Sequence, residues 1–297
     1  MIARRQYKVA GHLFSIGMDQ ESFLWRRMGY SYGPFEVEDE NGCIFSLSVT
    51  DVMEVEDASL VYSNKETVEP GFTVMEVYKT PSGHYFELSH PGSDIINCRL
   101  TISDDFLDAQ VKLEGNEVEK WLIFNTAVDF CFLLSTSGLG TVLTHASSVI
   151  YKGKAYLFLG KSGTGKSTHS RMWLSSLEDV VLMNDDHPVL RVGDDGKVIA
   201  YGSPWSGKTP CYKNISAPLG GIIRISRAPY NKPKRLAPIQ AYASLMTSCS
   251  GMTWDKSQAD GRDKTMQAIV SATPCWVMEC LPDEDAARVC SAAVTDF

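Results

Sequence analysis

The chain has 297 residues, a net charge of -8 at pH 7 and 44% hydrophobic residues, which is ordinary for a globular protein with a sizeable core. The acidic balance argues against a general nucleic-acid binder, because such proteins usually carry a basic surface. The N-terminal segment lacks the features of a signal peptide, and no segment is long and apolar enough to span a membrane. We therefore expect a cytoplasmic protein with neither nucleic-acid nor membrane partners.

The first predicted domain covers residues 1–115 and is β-rich. Short strand-like segments such as QYKVA, CIFSLSVT, HYFELS and INCRLTI are separated by turn signals, which include Asn41-Gly42 and Pro91-Gly92. This pattern predicts a small antiparallel β domain, and no chemical motif lies in it.

A helical pattern begins at Glu117 and extends to about Ser135. The side chains that recur at helical spacing are Val118, Trp121, Leu122, Thr126 and Phe130. We interpret residues 116–138 as a connecting helix and expect this stripe to pack in a core. Residues 139–297 alternate strand and helix patterns, which predicts an α/β domain.

One segment of that α/β domain matches the phosphate-binding motif G-x-x-x-x-G-K-[ST] at every position. A strand-like run, Ala155–Leu159, comes first, and a helical pattern follows Thr168. The motif itself is Gly160, Lys161, Ser162, Gly163, Thr164, Gly165, Lys166 and Ser167. Strand, glycine-rich loop and helix form the context in which this motif binds phosphate.

The residue types of the loop suit a triphosphate with its magnesium ion. Glycines let backbone N–H groups converge on phosphate oxygens, and the N-terminus of the next helix faces the same anion. Lys166 can reach the β- and γ-phosphates, and the Ser167 hydroxyl can bind Mg²⁺. The sequence therefore predicts binding of ATP or a related phosphate donor together with Mg²⁺.

Two aspartates follow the next buried-strand pattern. Asp185 and Asp186 end the run VVLMNDD, and Asp186 lies 20 residues after Lys166. Because ligands bind at the carboxyl ends of strands in α/β sheets, we expect both carboxylates beside the triphosphate. One can hold Mg²⁺ and the other can accept a proton from an attacking hydroxyl, and spacing alone does not assign the two roles. His145 lies in the strand-like run before the loop strand.

Taken together, His145-Ala-Ser, GKSGTGKST and the run ending in Asn-Asp-Asp resemble the HPr kinase/phosphorylase group. The nucleotide domain of that group is similar to phosphoenolpyruvate carboxykinase. The resemblance implies a P-loop α/β domain of this type, preceded here by the smaller β-rich domain. It implies that Lys166 and Ser167 bind phosphate and magnesium and that His145 lies near the transferring phosphate. It also implies Asp186 as the base and Asp185 as the magnesium ligand.

The chain differs from this group further on. Members active in both directions have a Glu-Asn-Arg stretch where this chain reads YGSPWSGK, residues 201–208, without a glutamate. The difference argues against the phosphorylase reaction and against HPr as the acceptor. In this stretch Lys208 is a candidate to neutralise the transferring phosphate and Trp205 to line an acceptor or base pocket, although an ordinary turn is an equal alternative. The basic segment with Arg224, Arg227 and residues 232–235 is either a solvated loop, which we favour, or a surface that faces an acidic partner.

The leading hypothesis is an ATP-dependent kinase that phosphorylates a hydroxyl, either a serine of a protein or peptide or a small metabolite. The alternative is a nucleotide-dependent binding module or switch that transfers no phosphate. A carboxykinase-like reaction on a small acid is a third option, but the extra metal and substrate residues that it needs are not found. The resemblance to kinases that form rings suggests a homo-oligomer.

Overall fold

The structure is a computed structural model that describes residues 1–39, 41–68, 72–207 and 209–295. The chain forms a mixed α/β fold and divides into two compact units. The first unit comprises Met1–Thr136 with Thr253–Asp255, and the second comprises Ser137–Met252 with the described residues from Lys256 onward. No helix within the described part of the chain has the length and apolar character needed to cross a bilayer.

The first unit contains a nine-stranded mixed sheet, counted over its described residues. Its strands are β1 (Ile2–Val9), β2 (His12–Asp19), β3 (Glu36–Val37), β4 (Ser46–Val49), β5 (Ser59–Ser63), β6 (Val74–Thr80), β7 (Gly83–Ser89), β8 (Cys98–Ser103) and β9 (Asp108–Leu113). They follow the order β3-β1-β2-β4-β9-β8-β7-β6-β5. The expectation of an antiparallel sheet is wrong at one strand, because β4 runs parallel to both of its neighbours, β2 and β9.

The described part of the first unit contains two α-helices, α1 (Phe23–Ser31) and α2 (Glu117–Thr136). The second coincides with the helix predicted from Glu117, and it packs on β8 and β9. Its buried face differs from the predicted stripe, since Val118 and Leu122 are 56% and 53% exposed. The side chains that it buries are Ile123, Phe124, Ala127, Val128, Cys131, Phe132, Leu133, Leu134 and Thr136. Apolar residues lie on several sides of this helix, so the sequence pattern alone does not indicate which side is buried.

The second unit is built on a second mixed sheet. Its strands are β10 (Thr141–Leu143), β11 (Ala146–Tyr151), β12 (Lys154–Leu159), β13 (Val181–Asp186), β14 (Val189–Val192), β15 (Val198–Tyr201), β16 (Ser216–Arg227), β17 (Lys232–Arg235) and β18 (Cys275–Cys280). Its helices are α3 (Lys166–Ser176), α4 (Pro238–Met246), α5 (Lys256–Ala272) and α6 (Glu284–Thr295). The basic segment expected to be a solvated loop instead forms the end of β16 and all of β17.

This sheet is covered on both faces by helices. Along β12, Leu157 and Leu159 join a buried cluster with residues of α4 and α5, whereas Phe158 joins a cluster with residues of α3 and α6. The alternation follows from the two-residue period of a strand, and a strand buried on both faces reads as a continuous apolar run. The run Ala155–Leu159 therefore marks a central strand.

The strand directions bring several chain segments to one edge of the sheet. Strand β12 is parallel to β16, which is parallel to β18, and β11 is antiparallel to both β12 and β13. The carboxyl ends of β12, β13, β16 and β18 therefore share one edge, and β11 starts there. In the order β18-β16-β12-β11-β13, the glycine-rich loop leaves the middle strand.

Candidate functional site

The glycine-rich loop connects β12 to α3 and depends on the backbone freedom of its glycines. Gly160, Gly163 and Gly165 have φ angles of +153°, +76° and +111°, a region that side-chain-bearing residues rarely adopt. A Cβ added to Gly160 would lie 2.5 Å from the Thr164 hydroxyl oxygen. All three glycines of the motif thus occupy positions that the local conformation restricts to glycine.

The loop ends at the N-terminus of α3. Gly165 is the N-cap in a left-handed conformation, and Lys166 is the first helical residue. Ser167 and Thr168 follow half-buried in the first turn, while Lys161 and Ser162 are exposed at the tip of the loop. Because the first N–H groups of a helix lack partners within it and carry its positive dipole end, this arrangement attracts an anion.

The Lys166 side chain folds back over the loop. Its Nζ donates a hydrogen bond to the Gly160 carbonyl oxygen at 3.0 Å, and the residue is only 9% exposed. Burial lowers the pKa of Lys166, and the negative charges of Asp186 and Asp185 oppose that shift. The two aspartates therefore lie near enough to Lys166 for their charges to act on it.

The two aspartates end β13 beside the start of β11. Ala146 pairs with Asp186 and Ser147 with Asp185 in the antiparallel ladder. This register places His145, the residue before β11, next to Asp186. The His145 Nδ1 lies 3.1 Å from an Asp186 carboxylate oxygen, and the two side chains are 38% and 32% exposed. Both groups are therefore accessible to a ligand, whereas Asp185 is buried at 6% exposure.

Opposing influences act on the pKa of Asp186. Burial raises the pKa of this carboxyl, but the hydrogen bond from His145 and the charges of His187, His145 and Lys166 outweigh burial and lower it below its usual range. The side chain is therefore a carboxylate at neutral pH, the form that can accept a proton.

Asn184 holds the aspartates in place and was not singled out in the sequence. This fully buried side chain accepts hydrogen bonds from the backbone N–H groups of Asp186 and His187, at 3.1 and 2.9 Å. Its amide also donates to the Trp205 carbonyl at 2.9 Å and to the Ser203 hydroxyl at 3.1 Å. The sequence does contain a signal for this role, because an asparagine at the end of an apolar strand pattern must find hydrogen-bond partners once it is buried.

The stretch from Gly202 to Gly207 lies against the aspartate pair. The Gly207 N–H donates to the Asp185 carbonyl at 2.9 Å, and Ser206 pairs with Asp186 in an isolated bridge. Trp205 is buried at 1% exposure, and its carbonyl serves as an Asn184 partner. Lys208, the other candidate of this stretch, lies outside the described residues.

Two further residues at this sheet edge were missed. His187 follows the aspartates, and its ligand atom lies within 4.8 Å of those of His145 and Asp186. An imidazole directly after an acidic pair is a metal-ligand type and could have been flagged. Arg227, at the end of β16, donates from Nη2 to the Gly163 carbonyl. Arg227 follows Gly163 by 64 positions in the sequence, so no local sequence pattern indicates this contact.

In comparisons with known proteins, no protein-family model matches the chain, and a search of curated proteins finds no match.

The assembled site can do three things chemically. The loop and the N-terminus of α3 can cradle an anion, Lys166 supplies positive charge beside it, and Asp186 with His145 offers an accessible carboxylate at the same edge. Ser167, half-buried in the first turn of α3, offers an oxygen donor of the kind that Mg²⁺ prefers. Asp185 carries the same kind of donor, but the residue is only 6% exposed.

Proposed function

We propose that the second unit is a Mg-ATP-dependent phosphotransferase of the HPr-kinase-like, P-loop type that phosphorylates a hydroxyl group. The observation that supports this proposal best is the convergence of the glycine loop, Lys166 and the His145–Asp186 pair at one sheet edge. Phosphoryl transfer needs mainly positioning and charge stabilisation, which this set of groups supplies. The acceptor is a serine of a protein or peptide, or a small metabolite.

In this mechanism the loop amides and Lys166 hold the phosphates, and Asp186 faces the acceptor. Asp186 takes the proton of the acceptor hydroxyl while the oxygen of that hydroxyl forms its bond to the terminal phosphorus. The bond between that phosphorus and the β–γ bridging oxygen breaks, so that ADP leaves. Ser167 and Asp185 would hold Mg²⁺, which neutralises phosphate charge when bound. His145 orients the Asp186 carboxylate through its hydrogen bond.

The test replaces the base and leaves the phosphate loop intact. Asp186→Asn should lower transfer by about 100-fold or more, the range of general-base contributions, because an amide cannot accept the proton. ATP binding should stay within about threefold of the native value, since no contact of the loop itself is removed. Transfer is measured with γ-labelled ATP, Mg²⁺ and a cellular extract as the source of acceptors, and binding is measured by calorimetry.

Asp194→Asn is the matched control, since this carboxylate is exposed on a turn of the same unit. Its activity should equal that of the native protein. Full transfer by Asp186→Asn would refute the base assignment. If the native protein binds ATP but labels no acceptor, it is a nucleotide-dependent binding module instead.

A further inference from the structure

A cavity of about 560 Å³ opens beside the glycine loop, within the size range of small-molecule sites. It lies between the first turns of α3 and the carboxyl ends of β16 and β18. Its lining residues are Gly163, Thr164, Gly165, Thr168, His169, Met172, Ile225, Arg227, Ala228, Cys280, Leu281 and Pro282. The catalytic residues of the proposed function, Asp186 and His145, are not among them. We call it the loop-side cavity.

The topology of the sheet places this cavity and the aspartates on opposite sides of the loop. Strand β12 leads into the loop, with β11 and β13 on one side and β16 and β18 on the other. A polyphosphate whose terminal group lies beside Asp186 can therefore extend across the loop toward the loop-side cavity. Arg227 lines the cavity and donates to the Gly163 carbonyl, so a cationic side chain lies at that junction.

The lining of the cavity suits a flat heterocycle better than a chain of phosphates. Met172, Ile225, Leu281 and Pro282 present apolar surface, which stabilises an aromatic ring and leaves charged phosphate oxygens without partners. Such a mixture, mostly apolar with a few polar groups, is typical of sites for small organic ligands.

His169 adds an unpaired donor to this lining. The ring is 1% exposed, and its Nε2 accepts a hydrogen bond from the Trp173 indole N–H at 3.1 Å. A neutral imidazole that accepts at Nε2 carries its proton at Nδ1. Within the described residues that buried Nδ1 has no hydrogen-bond partner. A buried donor without a partner is costly, so a ligand that offers an acceptor gains from pairing with it.

We propose that the loop-side cavity binds the base and sugar of the nucleoside triphosphate whose phosphates lie on the glycine loop. This inference rests on the proposed function for the position of the phosphates. It assigns nucleotide recognition to residues that end β16 and β18 and to one face of α3. It also makes a nucleotide, rather than an inorganic polyphosphate, the preferred phosphate donor.

The experiment compares ATP with inorganic tripolyphosphate, both with Mg²⁺, by calorimetry on the full chain. The native protein should bind ATP at least about tenfold more tightly, because only ATP fills the cavity. Ala228→Trp places a large side chain at the cavity wall and should weaken ATP binding by about tenfold or more. Tripolyphosphate binding should stay within about twofold, which also shows that the variant is folded.

Ala292→Trp is the matched control, because Ala292 is exposed on α6 and does not line the cavity. If Ala228→Trp fails to fold, Leu281→Trp replaces it, since Leu281 lines the cavity and is 38% exposed. Equal affinities of the native protein for the two ligands, or unchanged ATP binding in the folded cavity variant, would overturn the assignment. Binding of neither ligand would overturn the loop assignment and the proposed function as well. Selective ATP binding without phosphoryl transfer would support the cavity and refute the kinase reaction.

Discussion

Asn184 is the side chain on which the geometry of the aspartates depends most. Its oxygen fixes the backbone of Asp186 and His187, and its amide fixes the stretch that contains Ser203 and Trp205. Because the Asn184 side chain is fully buried, we expect no water molecule to replace these hydrogen bonds when the side chain is truncated. Asn184 therefore helps to hold Asp186 beside His145, although Asn184 itself takes no part in the proposed chemistry.

We predict that Asn184→Ala lowers the free energy of unfolding by about 2–4 kcal/mol, because the truncation leaves several buried polar groups without partners. Phosphoryl transfer should fall as well, since Asp186 loses its positioning bond. Urea denaturation and the labelling assay measure the two effects. Gln267→Ala, at an exposed position of α5, is the control and should shift stability by about 0.5 kcal/mol or less. A fully stable and active Asn184→Ala variant would contradict this view of the site.

At the scale of single elements, α3 begins with three residues of the proposed phosphate site, Lys166, Ser167 and Thr168, and one aromatic residue anchors it. Trp173 is fully buried, and its ring contacts those of Tyr151, Tyr156 and Phe158 at centroid distances of 5.7, 5.4 and 5.3 Å. Lys166 and Ser167 begin the same helix. Packing at Trp173 therefore sets the orientation of the helix end that faces the loop.

Replacement of Trp173 by alanine should cost about 3–5 kcal/mol of stability, the usual penalty for such a cavity in a core. Affinity for Mg-ATP should also decrease, because α3 can then shift relative to the loop. Thermal unfolding and calorimetry test both expectations. The neighbouring Leu174→Ala makes a suitable comparison, because Leu174 is 36% exposed on the same helix. Equal losses in the two variants would show that the aromatic cluster is not the anchor.

Helices α2 and α3 also show how far a local pattern predicts an element. The sequence predicts the existence of both helices, since strong helical periodicity and glycine stops are local signals. The predicted buried face of α2 is correct only in part: Val118 and Leu122 are exposed, and the remaining members of the stripe are half-buried. The fully buried side chains, such as Phe124 and Phe132, lie outside the predicted stripe. When apolar residues surround a helix, the partner surface decides which of them are covered.

At the scale of the whole molecule, the proposed chemistry is confined to one unit. The glycine loop, the aspartates and the loop-side cavity all belong to the second unit, from Ser137 onward. The first unit has its own nine-stranded sheet over its described residues and its own buried aromatic residues, such as Phe14 and Phe45. A ligand that binds to the loop should therefore stabilise the unit that contains it.

We predict that saturating Mg-ATP slows amide hydrogen exchange in β12, α3 and β13 of the second unit. A ligand at 100 times its Kd adds about 2.7 kcal/mol of stability to the state that binds it. Exchange in β5 to β8 of the first unit should change much less. Mass spectrometry of proteolytic fragments gives the comparison, and Lys166→Ala, which loses the ammonium group over the loop, should abolish the protection. Protection of the first unit alone would contradict the placement of the nucleotide.

The sequence by itself determines the structural elements that depend only on residues close together in the chain. The glycine loop is one such case, since positive φ at Gly160, Gly163 and Gly165 and the start of α3 at Lys166 involve a single short segment. The closeness of His145 to Asp186 is a different case, because it depends on the pairing of β11 with β13.

Only the tertiary structure decides the contacts made by distant segments. The support of Asp186 by Asn184 and Trp205, the reach of Arg227 to Gly163 and the lining of the loop-side cavity depend on which strands lie side by side and in which register. Local backbone preferences act over a few residues, whereas strand neighbours are selected by the burial of the complete core.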